Sequence, residues 1–339
     1  MSVQTSTHTM PAWRQHRYGE ADAVTLSEVA VPTPGPGQAL VRLRATGLNS
    51  GDTRVMRGEP LLVRVAFGLR RPRQPVRGMD AAATVVAVGD GVAGVAVGDE
   101  VVGELPGGGL ARYALAPADR LVPRPAELDP ASAATLPVAG GTAWQALAKA
   151  RVGTSGGAGR PRVLVIGASG GVGTFAVQLA ALRGAEVWAL CGERNRELVE
   201  SLGAARTFDY RRIQPGSAEL GDGTFDAVLD IAGTAPLRAL RRLVRDGGRV
   251  VLVSGEGGRV LGPMGRLLRA AVLSIGSKRP VAPLAATAKT DVLAELVALA
   301  AAGSLRPVIA RTSPFAGAAD ALAEVADGHV TGKIVVLAD

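Results

Sequence analysis

The most constraining feature of this 339-residue chain is the run VLVIGASGGVGTFAVQLA at residues 163–180. An apolar stretch ends at Ile166 and a helical pattern starts near Val172. The turn between them holds Gly167, Gly170, Gly171 and Gly173. Glycines let a backbone turn tightly and come close to another group. A helix start offers free N–H groups and a partial positive charge. Together these make a cradle for a dinucleotide pyrophosphate, with Ser169, Gly170, Gly171, Val172 and Gly173 around it. The first glycine of the usual GxGxxG is Ala168 here, so the strict pattern is AxGxxG. Its setting strengthens it: a strand before, a helix after, then a second strand at residues 186–190. The alternative is a tight turn with no ligand.

The rest of the chain falls into two textures. From Trp13 to Val102, short β-like runs are separated by Gly, Pro and Asp turns. Residues 39–44 (ALVRLR) alternate apolar and polar, as a half-buried strand does. After Leu121, strands and helices alternate: strands at 162–166, 186–190, 227–231 and 249–253, helices at 172–183, 194–202 and 236–243. That order implies a parallel sheet with helices on its faces. Asp129 with Pro130 marks a helix start. The last strand, 334–337, is too far on to continue the alternation and is expected to return to the first domain. The expected divisions are a disordered tail at 1–9, a β domain at 10–135, a cofactor domain at 136–277 and a return at 278–339.

The second strand of the alternating half decides between two cofactors. An acidic residue at its end would hold the adenosine ribose hydroxyls of NAD. Here the strand ends Trp188-Ala189-Leu190-Cys191, without an acid, and Gly192, Glu193, Arg194 and Asn195 follow. Arg194 and Asn195 can hold a 2′-phosphate, and Gly192 leaves room for it. Glu193, turned inward, would repel one, and Arg194 also reads as a solvated first-turn arginine. The cofactor read from this segment is NADPH, with NADH left open.

Charge and cysteine content exclude several classes. Lys plus Arg is 38 against 30 Asp plus Glu, a net charge of +8, yet aromatics are only 3%. Single-strand binders interleave basic and aromatic side chains, so a nucleic-acid partner is not expected. The dense basic cluster is Arg64, Arg70, Arg71, Arg73 and Arg77. It reads as a solvated loop, or as one facing an anionic substrate or acyl carrier through Arg70 and Arg71. One cysteine, Cys191, excludes an intrachain disulfide and a multi-thiolate zinc site. No run of 18 apolar residues is present, so no membrane helix is expected. The first nine residues lack a signal-peptide core, and a cytoplasmic protein is expected.

Several segments in order carry a wider resemblance. They include GLNSGDTRVMRG (47–58), RGMDAAATVVAVGDGV (77–92), GDEVVGE (98–104), AATLPVAGGTAWQAL (133–147), SLGAARTFDY (201–210), DIAG (230–233) and DGHVTGKIVVL (327–337). On these the chain resembles the zinc-independent, quinone oxidoreductase-like branch of the medium-chain dehydrogenase/reductase superfamily. Within it, the chain is similar to bacterial relatives of the mitochondrial reticulon-interacting reductases. The resemblance implies an α/β chain: a GroES-like β domain plus a Rossmann doubly wound parallel-sheet domain, with the active site between them. It also implies a homodimer.

Zinc relatives carry a cysteine and a histidine where this chain has Gly47-Leu48-Asn49-Ser50-Gly51-Asp52 and Gly78-Met79-Asp80. No metal is expected. By resemblance, Asn49 is a cleft residue that donates to nicotinamide ribose or substrate oxygen; otherwise it is a turn asparagine. Asp52 is catalytic or a helix cap. Thr142 lies near the nicotinamide carboxamide. Tyr210 lies against the adenine end, and Gly233, Ser254 and Gly255 lie where the cofactor passes. The role of Lys333 is left open. The implied function is NADPH-dependent hydride transfer to a quinone or an α,β-unsaturated carbonyl. The alternatives are a non-catalytic NADPH-binding scaffold or redox sensor, and a specialised reductase of natural-product biosynthesis.

Overall fold

The computed structural model describes residues 8–153, 159–253 and 260–338. Two strands, β1 (Thr9–Gln15) and β2 (Val24–Ala30), pair antiparallel, with Thr9 opposite Ala30. Thr9 is therefore strand rather than tail; residues 1–7 lie outside the described residues. The first large sheet contains β3 (Gln38–Gly47), β4 (Asp80–Val88), β5 (Glu100–Glu104), β6 (Tyr113–Pro117) and β7 (Leu121–Pro123). In β3 the alternation read from ALVRLR holds: Val41, Leu43 and Ala45 are buried, whereas Arg42 and Arg44 are exposed. Asp129 caps the next helix as expected, its carboxylate accepting from Ser132 N–H at 2.9 Å. That helix covers only Pro130–Ala133.

The second sheet contains β8 (Arg162–Ile166), β9 (Glu186–Cys191), β10 (Ala204–Asp209), β11 (Phe225–Asp230), β12 (Val244–Leu252) and β13 (Val281–Pro283). Its order is β10-β9-β8-β11-β12-β13, and all pairs are parallel. This is the doubly wound order in which ligands bind beyond the carboxyl ends of the strands. The sheet is buried on both faces, which is why β8 reads as one apolar run. Phe175 and Leu179, of the helix Gly171–Leu182, pack on one face, and Phe225 and Leu240 on the other. The sheet reaches Pro283, past the boundary expected at 277.

Two further strands, β14 (Ile309–Pro314) and β15 (Lys333–Leu337), rejoin the first sheet, whose order is β14-β15-β3-β4-β5-β7 with β6 against β3. The return to the first domain is therefore as expected, with β15 antiparallel to β3. No helix among the described residues is long and apolar enough to cross a membrane.

Candidate active site

Between the two sheets lies a cavity of about 1180 Å³. The glycine-rich turn forms one wall. The helix Gly171–Leu182 starts after Gly170, and Thr174 N–H is bonded back to Gly170 O at 2.9 Å. The N–H groups ahead of it are those a helix start leaves open. Ser169, Gly170, Gly171 and Val172 line the cavity. Gly173 does not. It lets the helix sit on the turn, since a Cβ there would lie 2.1 Å from Gly167 O. Gly233 is also off the wall, its N–H donating to Asp230 at 3.0 Å. Ser254 and Gly255 lie outside the described residues.

Cys191, Gly192, Arg194, Asn195 and Tyr210, read from sequence as cofactor residues, line the cavity. Arg211, missed from sequence, joins them. Its guanidinium stacks 4.7 Å from the Tyr210 ring centre, and a Cβ on Gly192 would lie 3.5 Å from its Nη1. Arg194 donates to His329 O at 3.1 Å, and Thr331 donates to Asn195 at 3.1 Å. Glu193, the acid that would repel a phosphate, pairs instead with Arg196 at 3.1 Å and does not line the cavity. Burial pushes the Cys191 thiol up to about 11, so it stays protonated at neutral pH and is a poor redox sensor.

Leu48, Asn49, Thr53 and Lys333 also line the cavity. Asn49 Nδ2 donates to Asp80 Oδ2 at 2.9 Å and to Gly47 O at 3.2 Å. Lys333 Nζ donates to Asp80 Oδ2 at 3.0 Å and makes a short hydrogen bond to Asn49 Oδ1. Asp80 also accepts from Val138 N–H at 2.9 Å. Lys333 is 3% exposed and Asp80 not at all. Neither Lys333 nor Asp80 was assigned a role from sequence.

Asp52 lies behind this network, not in the cavity. Its carboxylate accepts from Asn49 N–H at 3.0 Å and Gly78 N–H at 2.9 Å, fixing the start of the helix Ser50–Arg57. Of its two sequence readings, this geometry supplies the helix-capping one. Thr142 is half-buried in the helix Gly141–Lys149 and does not line the cavity. The arginine cluster splits. Arg70 and Arg71 are exposed and off the cavity wall, Arg64 stacks 4.4 Å from the Tyr18 ring centre, and Arg77 is buried.

Burial first, then the Asp80 charge, pushes Glu104 up to about 7; burial is also the largest cause lifting Asp52 to about 6. Such acids keep protons that the unfolded chain has released. For Glu104, stability is therefore lost as pH rises from the ordinary 4.5 through about 7. Glu104→Gln should flatten this slope, raising the thermal unfolding midpoint above wild type by a few degrees at roughly pH 8 but not at roughly pH 5. Identical midpoint-versus-pH curves would contradict this.

Among the described residues, no cluster of three or more His, Cys, Asp or Glu is placed to hold a metal ion. The donors where zinc relatives bind metal are an amide and a carboxylate already bonded to the Lys333 ammonium. A second cation there would meet that charge, and no thiolate or imidazole is present to bind it. This donor set does not fit zinc.

Comparison with known proteins places this geometry in a family. Residues 35–126 match the alcohol dehydrogenase GroES-like domain, and residues 202–336 match the family described as zinc-binding dehydrogenase. The chain is 37% identical over 333 residues to the chloroplast envelope quinone oxidoreductase homolog of Arabidopsis thaliana, covering 96% of this chain and 98% of the relative. It is 32% identical to the 2-methylene-furan-3-one reductase of Solanum lycopersicum, covering 96% and 79%. The solved quinone oxidoreductase of Coxiella burnetii superposes with a TM-score of 0.83 at 26% identity, covering 97% and 99%. The chain belongs to the quinone oxidoreductase-like branch of the medium-chain dehydrogenase/reductase superfamily, an oxidoreductase family that also holds mitochondrial NAD(P)H oxidoreductases such as that of Bos taurus.

Proposed function

We propose that this protein is a metal-free reductase that uses NADPH to reduce a quinone or an α,β-unsaturated carbonyl. The observation that carries this reading is one cavity of about 1180 Å³ whose wall joins the glycine-rich turn, Arg194 and Arg211 beside Gly192, and the Asn49–Lys333 pair. Ordinary small-molecule sites occupy roughly 300–1,000 Å³, so a dinucleotide and a small acceptor have room together. When bound, the cofactor supplies a hydride from C4 of its nicotinamide. The open N–H groups at the start of the helix Gly171–Leu182 hold the pyrophosphate. Arg194 and Arg211 flank Gly192 and hold the 2′-phosphate. With no metal ligands at the reactive end, hydrogen-bond donors must offset charge on the acceptor oxygen. That favours acceptors whose charge is delocalised, in keeping with the names of the Arabidopsis and tomato relatives.

NADPH oxidation against quinone and enone panels tests the reading. Turnover of at least one class is expected, with NADPH preferred over NADH. Arg194→Ala and Arg211→Ala should each raise KM for NADPH about tenfold or more, as loss of a charged hydrogen bond does, and leave KM for NADH unchanged. No turnover with either panel, or equal use of both cofactors, would sink it. The proposal includes a homodimer in a reducing, cytoplasmic compartment. The free, buried Cys191 is compatible with such a compartment, and the open β13 edge beside exposed Leu268, Val272 and Ile275 offers a face for pairing.

A further inference from the structure

Hydrogen-bond capacity decides which group at the reactive end can hold a ligand oxygen. An amide carries two donor hydrogens and an ammonium three. Both amide hydrogens of Asn49 are engaged, by Gly47 O and Asp80 Oδ2. The amide cannot be turned over, because the Lys333 ammonium requires an acceptor, Oδ1, on its side. Asp80 only accepts, from Asn49, Lys333 and Val138. Lys333 donates to Asn49 Oδ1 and Asp80 Oδ2, which uses two of its three N–H groups. Within this buried trio, the donor with a bond still to give is Lys333.

Its position suits that task. Lys333 and Asn49 line the cavity, and Asp80 stands behind them. A Cβ on Gly171 would lie 3.0 Å from Lys333 Cδ, so the glycine at the helix start clears a path for the lysine stem. Next to it, Gly332 N–H donates to Ser169 O at 2.8 Å, tying the root of the lysine to the cofactor turn. A buried lysine normally needs a partner charge. Asp80 supplies one, which leaves the pair neutral and able to face a new negative charge.

We propose that Lys333 donates to the acceptor oxygen on which negative charge builds during reduction, with Asn49 and Asp80 as its positioning residues. The step is charge stabilisation through a hydrogen bond, and no bond of Lys333 breaks. It rests on the reading that a reducible carbonyl or quinone enters this cavity.

The test pairs turnover with binding of 4-nitrophenolate, a stable oxygen-centred anion, to the protein in the presence of NADP+, followed by phenolate absorbance. Lys333→Met should weaken phenolate binding at least tenfold and lower kcat about 100-fold, the usual cost of a lost oxyanion donor. The Kd for NADPH should stay within threefold. Asn49→Ala leaves the ammonium on Asp80, and its losses should be at least tenfold smaller than those of Lys333→Met. Lys333→Met/Asp80→Asn removes the stranded carboxylate and should repeat the Lys333→Met losses in a well-folded protein. The proposal is overturned if wild type binds no phenolate, if Lys333→Met binds it unchanged, if Asn49→Ala loses as much, or if the loss lies only in NADPH affinity. If wild type reduces neither acceptor class while phenolate binding still depends on Lys333, the proposed function fails and takes the charge-stabilising role with it, leaving Lys333 as an oxyanion-binding group only.

Discussion

Gly173→Val should abolish NADPH binding and lower the unfolding midpoint. Even the first added carbon would lie 2.1 Å from Gly167 O and 2.7 Å from Ala168 C, both backbone atoms. No rotamer relieves such a clash, so the helix must lift from the turn that we propose holds the pyrophosphate. Overpacking of this kind costs about 1–3 kcal/mol, and affinity should fall more than about 100-fold because the phosphate-facing N–H groups move with the helix. Gly170→Ala is the contrast. Its Cβ would meet nothing nearer than 3.6 Å, and its backbone is extended with φ −79°, so the fold should survive. Titration of NADPH into both variants, with thermal unfolding alongside, checks the pair. Threefold or smaller loss of affinity in Gly173→Val would refute the steric argument.

Asp80→Ala should cost about 3–5 kcal/mol of stability, because it leaves a buried ammonium without its carboxylate. It also leaves Val138 N–H and an Asn49 hydrogen without an acceptor. Adding Lys333→Met removes the stranded charge, so the double variant should regain more than half of that loss. Denaturant unfolding of the two single variants and the double gives the coupling directly. Additive losses would show that the ion pair is not what Asp80 contributes. The single variant should also lower the pKa of Glu104, since the Asp80 charge is one of the causes that raise it.

Much of the cofactor half was legible in the sequence. β8 announces itself because burial on both faces demands an unbroken apolar run, and the glycine turn because the close backbone approach at Gly173 admits no side chain. β10 and β13 were not legible. β10 (AARTFD) is an edge strand with mixed burial, and β13 is three residues long and ends in proline. The site shows the same division. Residues within the βαβ unit, from Ser169 to Asn195, were readable because the turns after β8 and β9 place them. Arg211 follows Tyr210 in the turn after β10 and could have been found once that strand was recognised. Asp80 and Lys333 are 253 residues apart, and no local pattern joins them. Thr142, carried over from the family, does not reach the cavity wall.

The position of β15 has a consequence for the order in which the molecule assembles. The parallel sheet is built from residues 162–283, so its pairings close comparatively short loops. β15 instead pairs with β3, Val335 opposite Gly47, across nearly the whole chain. Closing so long a loop costs more entropy than the pairings within residues 162–283, so β15 is expected to join late. A half-folded chain would own its glycine-rich turn before it owned Lys333, so the parts of the cavity wall contributed by β8 and by β15 would form at different times.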